Sequence, residues 1–129
     1  MSARASALGF VGFALAACVA AGVTGPRPRM AITVEPGASE ASGGVVLGVV
    51  RDMRTNEPVL DRIVYLRCSC LPEERIGVSD ARGVYVIRGL PPGEYTIAAL
   101  YEREEARFVL PSGSRARADL YIDPRGNIG

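Results

Sequence analysis

Ser79-Asp80-Ala81-Arg82-Gly83-Val84-Tyr85-Val86-Ile87-Arg88-Gly89-Leu90-Pro91-Pro92-Gly93-Glu94-Tyr95-Thr96-Ile97-Ala98-Ala99 decides the fold class of this chain. Two runs in it alternate with period two: Tyr85 and Ile87 share one face of the first, and Tyr95, Ile97 and Ala99 share one face of the second. Between them Leu90-Pro91-Pro92-Gly93 rules out a helix or a central strand, because two prolines remove two backbone donors. Ahead of them Ser79 to Gly83 reads as a hairpin loop. Asp80 can accept from backbone N–H groups two residues on, and Gly83 can take a positive φ.

The same alternation extends outward in both directions. Val45 to Arg51 reads as a strand, followed by a loop over Asp52 to Asp61 that carries Asn56, Glu57 and Pro58. Ile63 to Cys68 is a second strand, with Val64, Leu66 and Cys68 on one face and Ile63, Tyr65 and Arg67 on the other. Arg75 to Ser79, Ala106 to Leu110 and Arg115 to Ile122 complete the set. In the last of these Ala116, Ala118, Leu120 and Ile122 face inward and Arg115, Arg117, Asp119 and Tyr121 face water. About seven short strands with no helical period predict an all-β, two-sheet sandwich, with both core tyrosine hydroxyls reaching an edge or a backbone acceptor.

Val46-x-Gly48-x-Val50-x-Asp52, Pro58 ahead of Val64-x-Leu66, and then Ser79-Asp80-x-x-Gly83-x-Tyr85-x-Ile87-x-x-Leu90-Pro91-Pro92-Gly93-x-Tyr95-x-Ile97-x-Ala99 together resemble the carboxypeptidase regulatory-like domain, a prealbumin-like (transthyretin-like) sandwich. The resemblance covers about residues 45–122. It implies a seven- or eight-stranded Greek-key topology and a non-catalytic accessory role, since such domains are appended to carboxypeptidases, outer-membrane receptors and surface proteins. It also marks Asp80, Gly83, Pro91, Pro92 and Gly93 as a structural turn motif. Arg62-Ile63 stands where that family usually has Gly-Ala.

The N-terminal region is of another kind. Arg4 precedes an apolar run from Ala7 to Ala17, and Leu15-Ala16-Ala17-Cys18 resembles the lipobox of bacterial lipoproteins. The expectation is a signal peptide over residues 1–17 and a diacylglyceryl group on Cys18, whose acyl chains then bind membrane lipid. Two other readings compete: an uncleaved membrane anchor over Ala5 to Val23, and cleavage at an Ala-x-Ala-like site that releases a soluble secreted module. Residues 18–44 are rich in Gly, Pro, Ser and Ala and read as a linker, in which Ala31-Ile32-Thr33-Val34 is an isolated apolar island. The domain reading is therefore a sandwich over residues 45–123 and a short tail over 124–129.

Composition narrows the chemistry. The 129 residues carry a formal charge of +1, which argues for no nucleic-acid partner. All 15 basic residues are Arg; there is no His, Lys, Trp or Gln. Without His there is no Ser-His or Cys-His pair, and without Lys no Schiff base, so no catalytic residue, cofactor or metal site is expected. Hydroxyisourate hydrolases, enzymes of transthyretin-like type, rely on histidines and a C-terminal Tyr-Arg-Gly-Ser, whereas this chain ends Asn127-Ile128-Gly129. Cys68-Ser69-Cys70 places two thiols on one strand face, about 6.5–7 Å apart at Cα if fully extended. A disulfide, two reduced buried thiols, and metal or redox chemistry are the readings open to it. Arg67, Arg107, Arg115 and Arg117, with Tyr65 and Tyr121 nearby, are the candidate binding face, against the plainer reading of an ordinary solvated sheet surface. The partner expected for such a face is an envelope protein or polysaccharide. A glycan-binding lipoprotein is the alternative, although it would want a row of exposed aromatics.

Overall fold

In a computed structural model, which describes residues 29–39 and 42–124, the chain is all-β. Eight strands run in order β1 (Met30–Glu35), β2 (Gly44–Asp52), β3 (Ile63–Arg67), β4 (Arg75–Val78), β5 (Val84–Leu90), β6 (Gly93–Ala99), β7 (Glu105–Leu110) and β8 (Arg115–Ile122). The first sheet has the order β1-β8-β2-β5 and the second β4-β3-β6-β7; among the described residues there is no helix. Every neighbouring pair is antiparallel except β2 and β8, which run parallel at the centre of the first sheet.

The inward faces of both sheets meet in one core. Val46, Val50, Tyr85, Ile87, Ala116, Ala118, Leu120 and Ile122 come from the first sheet, and Val64, Leu66, Tyr95, Ile97, Ala99, Phe108 and Leu110 from the second. The Tyr95 and Phe108 rings stack with centroids 5.8 Å apart. Both buried tyrosines find a backbone acceptor: the Tyr85 hydroxyl donates to the Ala118 carbonyl and the Tyr95 hydroxyl to the Pro91 carbonyl. No buried side-chain nitrogen or oxygen among the described residues is left without a partner, as the cost of an orphaned polar group demands.

Gly48 explains the one lapse in the central ladder. β2 and β8 pair at Leu47–Arg117 and again at Val50–Leu120, but not between. A Cβ on Gly48 would stand 1.8 Å from the Ala118 carbonyl oxygen, so β8 reaches this close only because residue 48 has no side chain. Two side chains serve the backbone groups that the ladder leaves out. The Tyr85 hydroxyl bonds the Ala118 carbonyl from the core side, and Asp119 Oδ1 accepts from the Val49 N–H at 3.0 Å on the outer side.

Two expectations need correction. First, Met30 to Glu35 is not linker: β1 pairs with β8 over six residues, and Met30, Ile32 and Val34 pack against the core. The isolated apolar island finds a strand edge to cover, and the sandwich includes β1, ahead of the expected start at residue 45. The strands number eight, within the seven or eight expected, because β1 joins the seven that the alternation places. Secondly, Ser79 to Gly83 is not a hairpin loop. β4 belongs to the second sheet and β5 to the first. The turn carries the chain from one layer to the other: Ser79 N donates to Arg62 O ahead of β3, whereas Gly83 O accepts from Val50 N in β2. Within the turn Asp80 Oδ1 accepts from the N–H groups of Arg82 (2.9 Å) and Val84 (3.0 Å), and Gly83 has φ +78°. Residues 1–17, Cys18 and the tail from residue 125 onward lie outside the described residues.

Candidate functional site

The outer face of the second sheet is built from the alternate residues that do not enter the core. Register lines up Arg67 of β3, Thr96 of β6 and Arg107 of β7 across three adjacent strands. Neighbouring strands are about 4.8 Å apart, so the two arginines rise about 10 Å from one another with the Thr96 side chain between them. The β3–β4 connection, residues 68–74, folds over the end of this row. Together they enclose an open groove of about 510 Å³ lined by Arg67, Cys68, Glu74, Glu94, Thr96 and Arg107, among others.

Charge in the groove is mixed. Arg67 donates to Glu105 Oε2 at 2.7 Å, lies 3.8 Å from Glu74 Oε2, and sets its guanidinium 5.2 Å from the Tyr65 ring centroid. The hydrogen bond to Glu105 holds the Arg67 guanidinium above its ordinary pKa. Arg107 forms no ion pair with another described residue. It presents a free guanidinium fork, the geometry that binds carboxylates and phosphates in a bidentate way.

The rim is braced by the cysteine pair. Cys68 and Cys70 Sγ lie 2.08 Å apart, at disulfide distance, with Cα atoms 4.9 Å apart. The separation is shorter than the extended-strand expectation because β3 ends at Arg67. Leu71 N then bonds Cys68 O at 3.0 Å, which curls the chain into a turn. Gly93, the first residue of β6, sits beneath: a Cβ there would meet the two sulfurs at 2.8 and 2.9 Å.

The arginine stripe expected from the sequence does not form on one surface. Tyr65 and Arg67 lie on the second sheet, whereas Arg115, Arg117 and Tyr121 lie on β8 in the first, on the opposite side of the sandwich. Period-two reading assigns each residue to the inside or the outside of its own strand. It carries no information on which sheet that strand joins. On the first sheet the two arginines are already engaged: Arg115 with Glu35 at 2.8 Å and Arg117 with Asp119 at 3.1 Å. Thr96 and Glu94, which complete the groove, were missed. Their signal was there, since both alternate with the core residues Tyr95 and Ile97.

Elsewhere the titratable groups serve the fold. Backbone N–H donors from Val84 and then Arg82 hold Asp80 below the ordinary carboxylate range. Burial pushes Tyr85 and Tyr95 above the ordinary tyrosine value. No group of three His, Cys, Asp or Glu side chains among the described residues converges as metal ligands would.

No family model matches the chain. It is 35% identical over 85 residues to the TonB-dependent transporter Oar of Myxococcus xanthus, a match covering 66% of this chain and 8% of that protein. The chain thus spans less than a tenth of the transporter's length. Among solved structures, (S)-allantoin synthase superposes with a TM-score of 0.48 at 14% identity, over 67% of this chain and 42% of that one. The dioxygenase domain of a dioxygenase carbohydrate-binding protein fusion from Streptomyces sp. SirexAA-E gives 0.45 at 11% identity, over 69% and 84%.

Proposed function

We propose that this chain is a non-catalytic module of the bacterial envelope. In this reading it is a prealbumin-like sandwich of the carboxypeptidase regulatory-like kind, tethered to membrane lipid through acylated Cys18. It holds an envelope protein or polysaccharide in the groove of its second sheet. The observation that carries the reading is the Arg67–Thr96–Arg107 row. It is a polar surface fixed on three hydrogen-bonded strands, open to solvent and offering one unengaged guanidinium. Such a surface recognises by complementarity of shape and charge. The likeness to less than a tenth of a TonB-dependent transporter fits a module that is elsewhere appended to larger envelope proteins.

The glycan alternative is less well supported on this face. Tyr65 is its aromatic residue among those described, and the Arg67 guanidinium already stacks on it.

Binding of the lipidated protein to purified cell-wall polysaccharide and to detergent-solubilised envelope proteins of its host tests the groove, with R107E as the comparison. Loss of one charge-assisted contact is expected to weaken binding about tenfold or more, with the melting temperature unchanged. Binding that survives R107E and T96W would overturn the groove. An intact mass lacking acyl groups on a chain that starts at Cys18 would overturn the anchor.

A further inference from the structure

The two ends of the sandwich differ in a way that neither the groove nor the core requires. Strand directions bring three connections to one end, residues 53–62, residues 79–83 and residues 100–104, together with the start of β1, just after Arg29, and the end of β8. Tyr121 N bonds Arg29 O there, and Arg29 reaches Glu102 and Glu104 at 3.6 Å. The connections at that end carry Met53, Leu60 and Tyr101, which are 37%, 54% and 72% exposed. At the other end, beside the cysteine pair and the groove, no described connection bears an exposed large apolar residue.

Tyr101 is the sharpest of the three. It is the most exposed large apolar side chain described, and it sits at a loop tip with φ +73°, a left-handed conformation that bulky residues rarely adopt. Asn or Gly would serve that turn with less strain. Arg103 stands exposed two residues on, and Arg54 and Arg82 occupy the neighbouring loops. Tyrosine, apolar tips and arginine together suit the zone where headgroups meet acyl chains.

The chain also arrives at this end. Arg29 stands eleven positions after Cys18, so the covalent path between them spans about 40 Å at most. The nine residues of β2 already extend about 30 Å.

We propose that this end is a lipid-docking surface, with Met53, Leu60 and Tyr101 seated in the interface of the bilayer that holds Cys18 and the groove turned away from it. The proposal rests on the anchor assigned to Cys18. Asp52, Glu57, Asp61 and Asp80 lie among the arginines at this end, so contact is through shallow apolar insertion and does not depend on anionic lipid.

The chain contains no Trp, so one introduced indole reports its own depth. Y101W and M53W probe the docking end, and V109W, exposed on β7 near the groove, probes the other. Each protein, extracted with its lipid, is reconstituted into phosphatidylcholine vesicles carrying brominated acyl chains. Y101W and M53W emission is expected to fall at least twofold and shift to the blue, while V109W emission is unchanged, with the same result when a fifth of the lipid is phosphatidylglycerol. Equal quenching of all three, quenching of V109W alone, or no quenching at all overturns the orientation. Quenching that appears only with anionic lipid overturns the apolar mechanism. Coupling the same variants to a maleimide phospholipid through the Cys18 thiol keeps the reading independent of acylation, so a failed anchor and a failed docking surface are told apart.

Discussion

Gly48 and Tyr85 act as one device, and substituting each has a distinct signature. A methyl at residue 48 has nowhere to go except into the Ala118 carbonyl, which is backbone and cannot swing aside. G48A is therefore expected to destabilise the sandwich by about 3 kcal/mol or to prevent folding, read as the shift in urea midpoint. Y85F keeps the ring but strands the Ala118 carbonyl, at a cost of about 1–2 kcal/mol near neutral pH. The pH dependence has a definite sign. Burial raises the Tyr85 pKa in the fold, so its contribution is complete below the ordinary tyrosine value near 10. It is lost as pH climbs from there toward the raised value, because the unfolded chain ionises first. Y85F is expected to flatten that alkaline limb of a stability profile taken from pH 8 to 11. Tyr101 should behave in the opposite way. Y101N relieves a left-handed tyrosine that touches little, so the protein is expected to become up to about 1 kcal/mol more stable. A destabilised Y101N would mean that the ring supports the fold.

The elements were legible to different degrees, for physical reasons that particular strands make plain. Seven strands could be placed because each buries one face, and a buried face writes period two into the sequence: Ala116, Ala118, Leu120 and Ile122 are all buried while Arg117 is not. β1 was hidden because it is an edge strand that only half-buries Met30, Ile32 and Val34 amid a stretch of Pro and Gly. Sheet membership was hidden altogether. Asp80 closes its turn equally well whether the flanking strands pair with each other or leave in separate layers, and this cost the arginine stripe its single face. Since β1 is structural, a chain beginning at residue 45 is expected to lose about 3 kcal/mol relative to one beginning at residue 29, from three half-buried apolar side chains. Denaturant unfolding of the two chains measures this. The cysteine pair stabilises its surroundings far more locally. Its ring spans three residues, so reduction is expected to lower global stability by no more than about 1.5 kcal/mol. Hydrogen exchange should rise in residues 68–74 and hardly elsewhere. Protection lost across the whole second sheet would show that the bridge does more than brace the groove rim.

At the scale of the whole molecule, the proposed anchor at Cys18 makes the length of chain between it and the sandwich the quantity that would decide how the two ends are used. Reading residues 18–44 as linker gives a coil with an r.m.s. span of roughly 25–30 Å, enough to let a small domain tumble above the headgroups. With β1 folded into the sandwich, eleven steps separate Cys18 from Arg29, for which the flexible-linker expectation gives an r.m.s. span of roughly 17–20 Å. That is less than the length of the domain it carries. With Cys18 acylated as proposed, a path this short would hold the proposed docking end at high effective concentration over the bilayer, and the exposed Met53, Leu60 and Tyr101 would then suffice to set an orientation. The consequence is quantitative. Inserting eleven Gly and Ser residues between Gly25 and Pro26 doubles the path, and effective concentration falls as about the −3/2 power of length, roughly threefold. The docked fraction, read from Y101W quenching in brominated phosphatidylcholine vesicles, is expected to drop accordingly, while the melting temperature and the affinity of the groove for its partner stay unchanged. Quenching that ignores the insertion would mean that the loops bind lipid without help from the anchor. A groove affinity that changes with it would mean that partner and bilayer compete for the same end of the sandwich.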